Sequence, residues 1–294
     1  MPKYVGTIKV PETEHQIVYL NGDYSPLHEA KISVLDRGFL FGDGIYEVIP
    51  VYQRHIFHFE RHMARLEKNL AAIRLPAPCN RQQLRAIIEK LLTGEDQESV
   101  YLQITRGIAK RDHQFPADTK PTVFVMSTPV QQKPKRGIAC ITLNDDRWQH
   151  CDIKSIALLP NVLLRQLAHD QHCDEAILIR DGYVTEGAAS NVFIVDNGQI
   201  ITAPQGPFIL PGVTRDVVIE IVHNAGLNIA QRMFTEQQLI EASEIWITSS
   251  TKDIVPVISL NKQPVSQGKP GVIWQQMNAL FQSHKQQLIQ QAND

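Results

Sequence analysis

Two residues between Cys151 and Val195 have the side-chain chemistry of an active site. Lys154 lies in the largely apolar segment DIKSIALL (152–159), where a charged ammonium is costly unless it is paired or loses its proton. A neutral lysine amine is a nucleophile that can form a Schiff base with a carbonyl. Glu186 ends the strand-like run YVTE and precedes a turn of small residues. A carboxylate at that position can face a ligand.

This pair of residue types matches the needs of one cofactor. Pyridoxal phosphate presents an aldehyde that binds a lysine and a ring nitrogen that binds a carboxylate. A lysine in an apolar run is, however, more often an edge residue or one whose ammonium reaches solvent. The spacing alone therefore leaves both interpretations of Lys154 open.

The surrounding sequence predicts the elements that position the two residues. Asn-Gly and Asp-Gly pairs predict hairpin turns that begin at Asn21, Asp181 and Asn197. Apolar spacing and capping signals predict helices at 59–73, 81–92, 161–172 and 214–225, and further helices that begin at Thr235 and Pro270. Strands are predicted at 31–35, 45–52, 99–105, 122–127, 137–143, 153–158 and 244–247. Because strands outnumber helices without a regular alternation of the two, the predicted fold class is α+β.

Two predictions concern the surroundings of particular side chains. In the helix at 161–172, the spacing directs Val162, Leu163 and Leu167 toward the core. His58 and His62 are four residues apart, a spacing that can bind a metal. Because no further ligands follow at a useful spacing, we expect solvated histidines and no metal site.

Two segments between predicted elements have no regular pattern. Residues 36–44 (DRGFLFGDG) place three glycines within seven residues, which predicts a sharp backbone bend. This segment matches neither phosphate-loop pattern. Residues 106–116 (RGIAKRDHQFP) form a basic connection that is typical of an exposed loop.

Composition bounds the class of protein. The 294 residues favour two domains, which we predict at 1–130 and 131–294, with the polar, proline-bounded linker at about 129–137. A net charge of -2 favours neither nucleic acid nor a membrane surface as a partner. No apolar run has the length of a membrane span. The four cysteines lack paired metal-like spacing and indicate reduced thiols in a cytoplasmic protein.

Three short motifs resemble the signature of a known family. The segments DIKS (152–155), VTEG (184–187) and SNVF (190–193) are similar to those of the class IV aminotransferases, pyridoxal-phosphate enzymes of fold type IV. That family includes D-amino-acid and branched-chain aminotransferases and aminodeoxychorismate lyase. The resemblance covers nearly the whole chain. It implies a smaller N-terminal α/β domain and a larger C-terminal domain with a strand-rich core flanked by helices.

The resemblance also implies a role for individual residues. Lys154 would hold pyridoxal 5'-phosphate and then move the α-proton of the substrate. Glu186 would contact the ring nitrogen, and Leu210 would lie under the ring. The remaining cofactor residues would contact the phosphate: Arg65, Val213, Thr214, Ser249 and Ser250.

The loop motif RDH (111–113) resembles the D-amino-acid aminotransferases in particular. In those enzymes an arginine and a histidine matching Arg111 and His113 bind the substrate α-carboxylate together with a tyrosine matching Tyr46. Because that loop comes from the neighbouring subunit, the resemblance implies a homodimer. We therefore predict ping-pong transamination between a D-amino acid and a 2-oxo acid. The predicted substrates are D-alanine and 2-oxoglutarate.

Three alternatives remain at this point. A branched-chain L-amino-acid aminotransferase and aminodeoxychorismate lyase share the cofactor chemistry, but Arg111 with His113 disfavours both. This chain departs from the resembled family at one turn. Ala188 and Ala189 stand where relatives often carry hydroxyls, which removes possible hydrogen bonds near the cofactor ring. A non-catalytic binder could use the basic stretches 54–65 and 133–136. These stretches lack the interleaved aromatic residues of a nucleic-acid groove, and the balanced charge also disfavours this class.

Overall fold

The computed structural model describes residues 16–118, 120–131 and 136–293. Its described strands form two sheets, one of six strands and one of nine. The first sheet uses strands that end by Pro129, and the second uses strands that begin at Ile138. This arrangement, with helices around both sheets, is the α+β class that the sequence predicts. The domain bounds themselves stay a prediction, and the linker at 129–137 lies partly outside the described residues.

The first sheet is antiparallel, with the order β2-β1-β6-β5-β3-β4. Its elements are β1 (Ile17–Leu20), β2 (Asp23–Pro26), α1 (Arg37–Phe41), β3 (Gly44–Tyr52), β4 (His55–Ile56), α2 (Phe59–Ala72), α3 (Arg81–Leu91), β5 (Gln97–Thr105) and β6 (Thr122–Pro129). Helices α2 and α3 bury Met63, Leu66 and Ile88 against β3 and β5. The opposite face of β3 carries Tyr46 and Val48, which line a cavity. The strand predicted at 45–52 is therefore confirmed, and its side chains alternate between the two faces.

The second sheet has the order β12-β11-β10-β13-β14-β7-β8-β9, and β15 pairs with β14. Three of its pairings are parallel: β14 with β7, β7 with β8, and β11 with β12. Its elements are β7 (Ile138–Asn144), α4 (Leu159–Asp170), β8 (Glu175–Arg180), β9 (Tyr183–Gly187), β10 (Asn191–Asp196), β11 (Gln199–Thr202), α5 (Val213–Asn224), β12 (Ile229–Gln231), α6 (Glu236–Glu241), β13 (Glu244–Ser249), β14 (Asp253–Leu260), β15 (Gln263–Pro264) and α7 (Val272–Asn293). Helices α5 and α7 pack on one face of it through buried Val218, Val222 and Phe281.

Local signals in the sequence explain several element ends. The predicted hairpin turns at Asn21, Asp181 and Asn197 are confirmed, and all three residues have positive φ angles of 53°, 51° and 48°. These angles suit asparagine and aspartate better than other side chains that carry a Cβ. The capping box at Thr235 is also confirmed, because its side chain accepts from the Gln238 N–H at 3.2 Å.

Polar contacts join the two sheets. The Tyr52 hydroxyl of β3 donates to Asp253 of β14 at 2.8 Å, and Lys285 of α7 lies 2.9 Å from the other oxygen of Asp253. On the surface, Arg61 of α2 makes a bidentate ion pair with Glu220 of α5. These contacts tie the N-terminal elements to the C-terminal ones and hold the cavity between them.

Three local predictions are wrong. Residues 31–35 form no strand, because the chain there turns toward α1 with the Asp36 N–H bonded to the Ser33 carbonyl at 2.9 Å. Residues 153–158 also form no strand beyond a single bridge between Ser155 and Ile45. In α4, it is Leu164 and Ala168 that are buried. The side chains expected to face the core are more than half exposed: Val162 (58%), Leu163 (56%) and Leu167 (51%).

Among the residues that the structure describes, no helix is both long and apolar enough to cross a membrane.

Candidate active site

A cavity of about 650 Å³ lies between the two sheets. Its wall includes every residue that the sequence assigns to a cofactor: Arg65, Lys154, Glu186, Leu210, Val213, Thr214, Ser249 and Ser250. Tyr46, assigned to the substrate, lines it as well. Side chains that are up to 204 positions apart in the sequence, from Tyr46 to Ser250, thus face one space, with α2 and β3 on one side and the second sheet on the other. Their individual roles stay a prediction.

Lys154 is fixed in the cavity by the edge of β3. The Tyr46 N–H donates to the Lys154 carbonyl at 3.0 Å, and the Ile156 N–H donates to the Gly44 carbonyl at 3.1 Å. These two bonds hold an otherwise irregular segment against β3. The Lys154 Nζ lies 3.9 Å from the centroid of the Tyr46 ring, a favourable position for a cation on an aromatic face. The amine is therefore oriented before any ligand binds.

Glu186 lines the same cavity and accepts three hydrogen bonds. Its Oε1 accepts from Arg147 Nη1 at 2.6 Å, and its Oε2 accepts from the Leu210 N–H at 2.9 Å and from Asn191 Nδ2 at 3.2 Å. Burial raises the pKa of Glu186 to about 7, and the Arg147 guanidinium opposes that rise. A cation in the cavity beside Glu186 would favour the charged form further.

Arg147 is a buried residue that the sequence reasoning missed. Its side chain bonds to Asp145 through Nε at 2.8 Å and through Nη2 at 3.0 Å, besides its contact with Glu186. Burial alone would raise the pKa of Asp145, but the hydrogen bonds and charge of Arg147 outweigh it and lower that pKa to about 2. Asp145 thus orients Arg147, which in turn holds Glu186. A buried carboxylate needs a cation, but this partner is 39 residues away in the sequence.

The first turn of α5 forms part of the cavity wall and presents backbone N–H groups, which favour an anion. The first N–H groups of a helix have no partner within the helix and carry partial positive charge. Gly212 caps α5 without a side-chain hydrogen bond, and Val213 and Thr214 follow it at the cavity wall. A Cβ on Gly212 would come within 2.1 Å of the Asn191 side chain. Glycine is therefore required where the chain passes Asn191 into the helix.

Arg65 lines the same cavity and is held by Glu47, another residue whose role the sequence did not indicate. Its Nε and Nη2 donate to the two oxygens of Glu47 at 2.8 and 2.7 Å, and its Nη1 donates to the Pro211 carbonyl at 3.0 Å. Three bonds leave two of the five guanidinium N–H donors for a ligand. Burial alone would raise the pKa of Glu47, but Arg65 and His62 outweigh it and lower the pKa to about 2.

The expectation of solvated histidines is wrong. His62 is 1% exposed, and its Nδ1 lies 2.8 Å from Glu47 Oε2. His58 is half-buried and stacks on His284 of α7, with ring centroids 5.2 Å apart. Within the described part of the chain, no group of metal-binding side chains has the geometry of a metal site.

The turn after Glu186 contains Ala188 and Ala189, where the resemblance implied additional hydroxyls. The Gly187 N–H donates to the Ser190 carbonyl at 2.7 Å. The Asn161 side chain of α4 donates to the Ala188 carbonyl at 2.8 Å. Backbone bonds and Asn161 therefore hold this turn, and Ala188 adds no polar group to the cavity.

Arg111 and His113 do not line the cavity of their own chain. Both are exposed, and both lie against Phe41 of α1: the Arg111 Cζ is 5.5 Å from the ring centroid, and the His113 ring centroid is also 5.5 Å away. Within one chain, Arg111 and His113 are thus separate from the residues assigned to the cofactor, whereas Tyr46, also assigned to the substrate, lies among them.

Similarity to known proteins agrees with this geometry. A model of the family described as amino-transferase class IV matches residues 44–260. Over 271 residues the chain is 38% identical to a D-alanine aminotransferase of Bacillus licheniformis, a match that covers 90% of this chain and 96% of that protein. It is 37% identical over 273 residues to a D-alanine aminotransferase of Listeria monocytogenes, which covers 90% of this chain and 94% of the relative.

Solved structures share the fold. A branched-chain amino acid aminotransferase from Escherichia coli superimposes with a TM-score of 0.81 at 23% identity, over 90% of this chain and 92% of the other. A branched-chain aminotransferase from Thermoproteus uzoniensis with norvaline gives 0.83 at 22% identity, over 91% and 93%. The matched family model spans both β3 and β14 and therefore contains the cavity residues from Tyr46 to Ser250. This chain belongs to the class IV aminotransferases.

Proposed function

We propose that the protein transfers an amino group between a D-amino acid and a 2-oxo acid, with D-alanine and 2-oxoglutarate as its substrates, and that it uses pyridoxal 5'-phosphate in a ping-pong reaction. The observation that carries this proposal is the position of Lys154, whose amine faces a cavity that also presents Glu186 and the first turn of α5. The D-alanine aminotransferases among its relatives support the choice of substrate.

The residues of the cavity fit this cofactor. An aldehyde requires an amine, a ring nitrogen requires a carboxylate, and a phosphate requires N–H donors with a positive charge. Lys154 supplies the amine, Glu186 the carboxylate and Arg65 the positive charge. The first turn of α5 supplies the backbone N–H donors. The Thr248 Oγ1, in the cavity wall, is buried without a partner among the described residues. The donor set is therefore the one that the cofactor needs.

The mechanism assigns one task to each group. When bound, pyridoxal phosphate withdraws electrons from the substrate α-carbon and makes its proton acidic. The Lys154 Nζ accepts that α-proton and later returns it, as a general base and then a general acid. Glu186, kept charged by Arg147, would accept a hydrogen bond from the ring nitrogen and favour its protonated form. Arg65 and the α5 N–H groups would hold the phosphate.

Handedness follows from where the substrate carboxylate binds. If Arg111 and His113 hold it on one side, only one configuration of the α-carbon directs the α-hydrogen toward Lys154, because the opposite configuration places the side chain there. The D-alanine aminotransferases among the relatives favour the D configuration. An arginine suits this task because its donors can bind both oxygens of a carboxylate. The branched-chain L-specific alternative and the lyase alternative lack such support, since the branched-chain structures at 22–23% identity indicate the fold alone.

A homodimer would bring the Arg111 loop to the cavity of a second subunit. Two exposed apolar surfaces support this assembly. One surrounds the loop and contains Val34 (69%), Phe39 (67%), Ile108 (56%) and Phe115 (52%). The other is the face of α4 at the cavity mouth, with Leu159 (66%) and Val162 (58%). Apolar areas of this kind mark interaction sites.

We also propose a cytoplasmic location, supported by four unpaired cysteines.

A paired assay with Arg111→Ala tests the substrate assignment. The purified enzyme should convert D-alanine with 2-oxoglutarate and leave L-leucine and L-valine unchanged. Arg111→Ala should raise KM for D-alanine at least about tenfold, because a hydrogen bond to a charged group contributes about 1.5–3 kcal/mol. The cofactor absorbance should not change, since Arg111 does not line the cofactor cavity.

Lys110→Ala is the matched control, because it removes a neighbouring positive charge from the same loop. It should leave KM within about twofold. Turnover of L-leucine or L-valine with D-alanine inert would refute the D-specific assignment and leave the aminotransferase chemistry in place.

A further inference from the structure

The loop that carries Arg111 and His113 is bound to α1 by a buried arginine, Arg37. Arg37 is 3% exposed and belongs to the segment 36–44, for which the sequence predicted only a bend. Its Nη1 donates to the carbonyls of Asp112 at 2.6 Å and Gln114 at 3.3 Å. These two carbonyls flank His113 in the chain. One guanidinium therefore holds the backbone on both sides of His113.

Asp43 fixes the orientation of Arg37. Its Oδ2 accepts from Arg37 Nε at 2.8 Å and from Arg106 Nε at 2.8 Å. Burial alone would raise the pKa of Asp43, but its hydrogen bonds with Arg106 and Arg37 outweigh it and lower the pKa. The Arg106 guanidinium also lies 3.7 Å from the centroid of the Phe115 ring, near the end of the same loop. A charged Asp43 thus connects two arginines that contact the loop at different points.

The ring of Phe41 contacts Arg37 and also the two exposed side chains, Arg111 and His113. The Arg37 Cζ lies 4.8 Å from its centroid, nearer than the Arg111 Cζ at 5.5 Å. The His113 ring is tilted by 44° against Phe41 at a centroid distance of 5.5 Å. All three side chains therefore depend on the position of one aromatic ring in α1.

Helix α1 is itself anchored to the sheet. Asp36 is 1% exposed and accepts from the Thr105 hydroxyl at 2.8 Å and from the Thr122 hydroxyl at 2.6 Å. It also caps α1 by accepting from the Gly38 N–H at 2.8 Å. A Cβ on Gly38 would come within 2.3 Å of the Thr105 side chain, so glycine lets α1 approach β5 closely. The support of the loop is thus continuous with the first sheet.

We propose that Arg37 is a positioning residue for substrate recognition, which sets the geometry of Arg111 and His113 and thereby the affinity for the α-carboxylate. This inference rests on the proposed function, in which these two residues bind that carboxylate. Binding groups that are held in place before the ligand arrives lose less conformational entropy on binding. Lysine cannot replace Arg37, because one ammonium lacks the planar array of donors that contacts Asp43 and both carbonyls together.

Arg37→Lys tests the proposal through binding as well as turnover. We expect KM for D-alanine to rise about tenfold with a smaller change in kcat, since a small misplacement of a binding group weakens recognition. The dissociation constant of propionate, which lacks the amino group and cannot react, should rise by the same factor. It is read from the absorbance of the bound cofactor. The dissociation constant of the cofactor itself should stay within about twofold.

A double-mutant cycle separates positioning from a general structural effect. If Arg37 acts through the loop, Arg37→Lys should add little to the propionate affinity of an Arg111→Ala/His113→Ala enzyme, because coupled residues are non-additive. An equal loss in both backgrounds would overturn the proposal, as would unchanged propionate binding in Arg37→Lys. Arg61→Lys alters an arginine with a surface ion pair to Glu220 and should change neither constant.

A second variant decides the question if Arg37→Lys does not fold. Phe41→Leu removes the ring between Arg37 and the loop while it keeps every charge, and it should weaken propionate binding in the same way. Full propionate affinity in Phe41→Leu would then overturn the proposal. A wild-type enzyme that does not convert D-alanine refutes the proposed function instead. The proposal for Arg37 alone is refuted if the wild type is active and Arg111→Ala weakens propionate binding, but neither α1 variant weakens it. The proposed function would then stand.

Discussion

Lys154→Ala should reduce kcat for D-alanine and 2-oxoglutarate by about ten-thousandfold or more, because general acid–base catalysis alone contributes up to about 10⁴. Among the residues that the structure describes, Lys154 is the one lysine of the cavity wall, and its amine is already oriented by the Tyr46 ring at 3.9 Å. The cofactor should still bind through Arg65 and the first turn of α5. Stopped-flow absorbance with each substrate measures the loss, and added methylamine should restore part of the proton transfer.

Lys68→Ala provides the control for Lys154. Lys68 is an exposed lysine of α2, outside the cavity wall, so its loss should leave kcat within about twofold. If Lys154→Ala kept a tenth of the wild-type kcat, Lys154 could not be the base.

Glu186→Gln should lower kcat about a thousandfold, which corresponds to about 4 kcal/mol of lost transition-state stabilisation. The amide has almost the same shape but no charge, so the ring nitrogen would lose the partner that keeps it protonated. The amide nitrogen would also face a donor, either Arg147 or the Leu210 N–H, because both donate to Glu186. We therefore expect an additional loss of about 1–3 kcal/mol in the free energy of unfolding.

Glu98→Gln separates the two effects. Glu98 is also fully buried and accepts from the Gly94 N–H and the Ser127 hydroxyl, but it does not line the cavity. It should destabilise the fold by a similar amount and leave kcat within about threefold. Turnover of Glu186→Gln within tenfold of the wild type, with cofactor bound, would show that another group protonates the ring.

The sequence singled out Lys154, and the structure places it in the cavity wall, but its local structure was not predictable. The apolar residues around Lys154 predicted a strand, whereas the segment is irregular and meets the edge of β3 through two backbone hydrogen bonds. Those bonds join residues more than one hundred positions apart. The periodicity of a segment shows how its apolar side chains are spaced. It does not show which strand, distant in the sequence, will pair with the backbone of that segment.

Buried charge networks were the second gap. Glu47 was predicted only as part of the strand at 45–52, and His62 was predicted to be solvated, yet both are almost fully buried around Arg65. A charged residue is predicted to be exposed, because charged side chains are almost never fully buried unless they are paired with another group. Here the partners come from β3 and α2, and only the tertiary structure brings them together.

The apolar face of α4 shows a third limit. Val162, Leu163 and Leu167 have the helical spacing of core residues, and the structure leaves them more than half exposed. A hydrophobic stripe looks the same whether its own chain or a second copy covers it. The proposed homodimer would account for this face and for the apolar surface around the Arg111 loop.

Borohydride reduction of the purified enzyme, followed by peptide mapping, tests the central claim most directly. Reduction converts a bond between an aldehyde and a lysine amine into a stable secondary amine that survives proteolysis. The pyridoxyl group should be found on the peptide that contains Lys154, and the reduced enzyme should be inactive. A pyridoxyl group on Lys252 or any other lysine, with Lys154 unmodified, would contradict the assignment of this cavity as the active site.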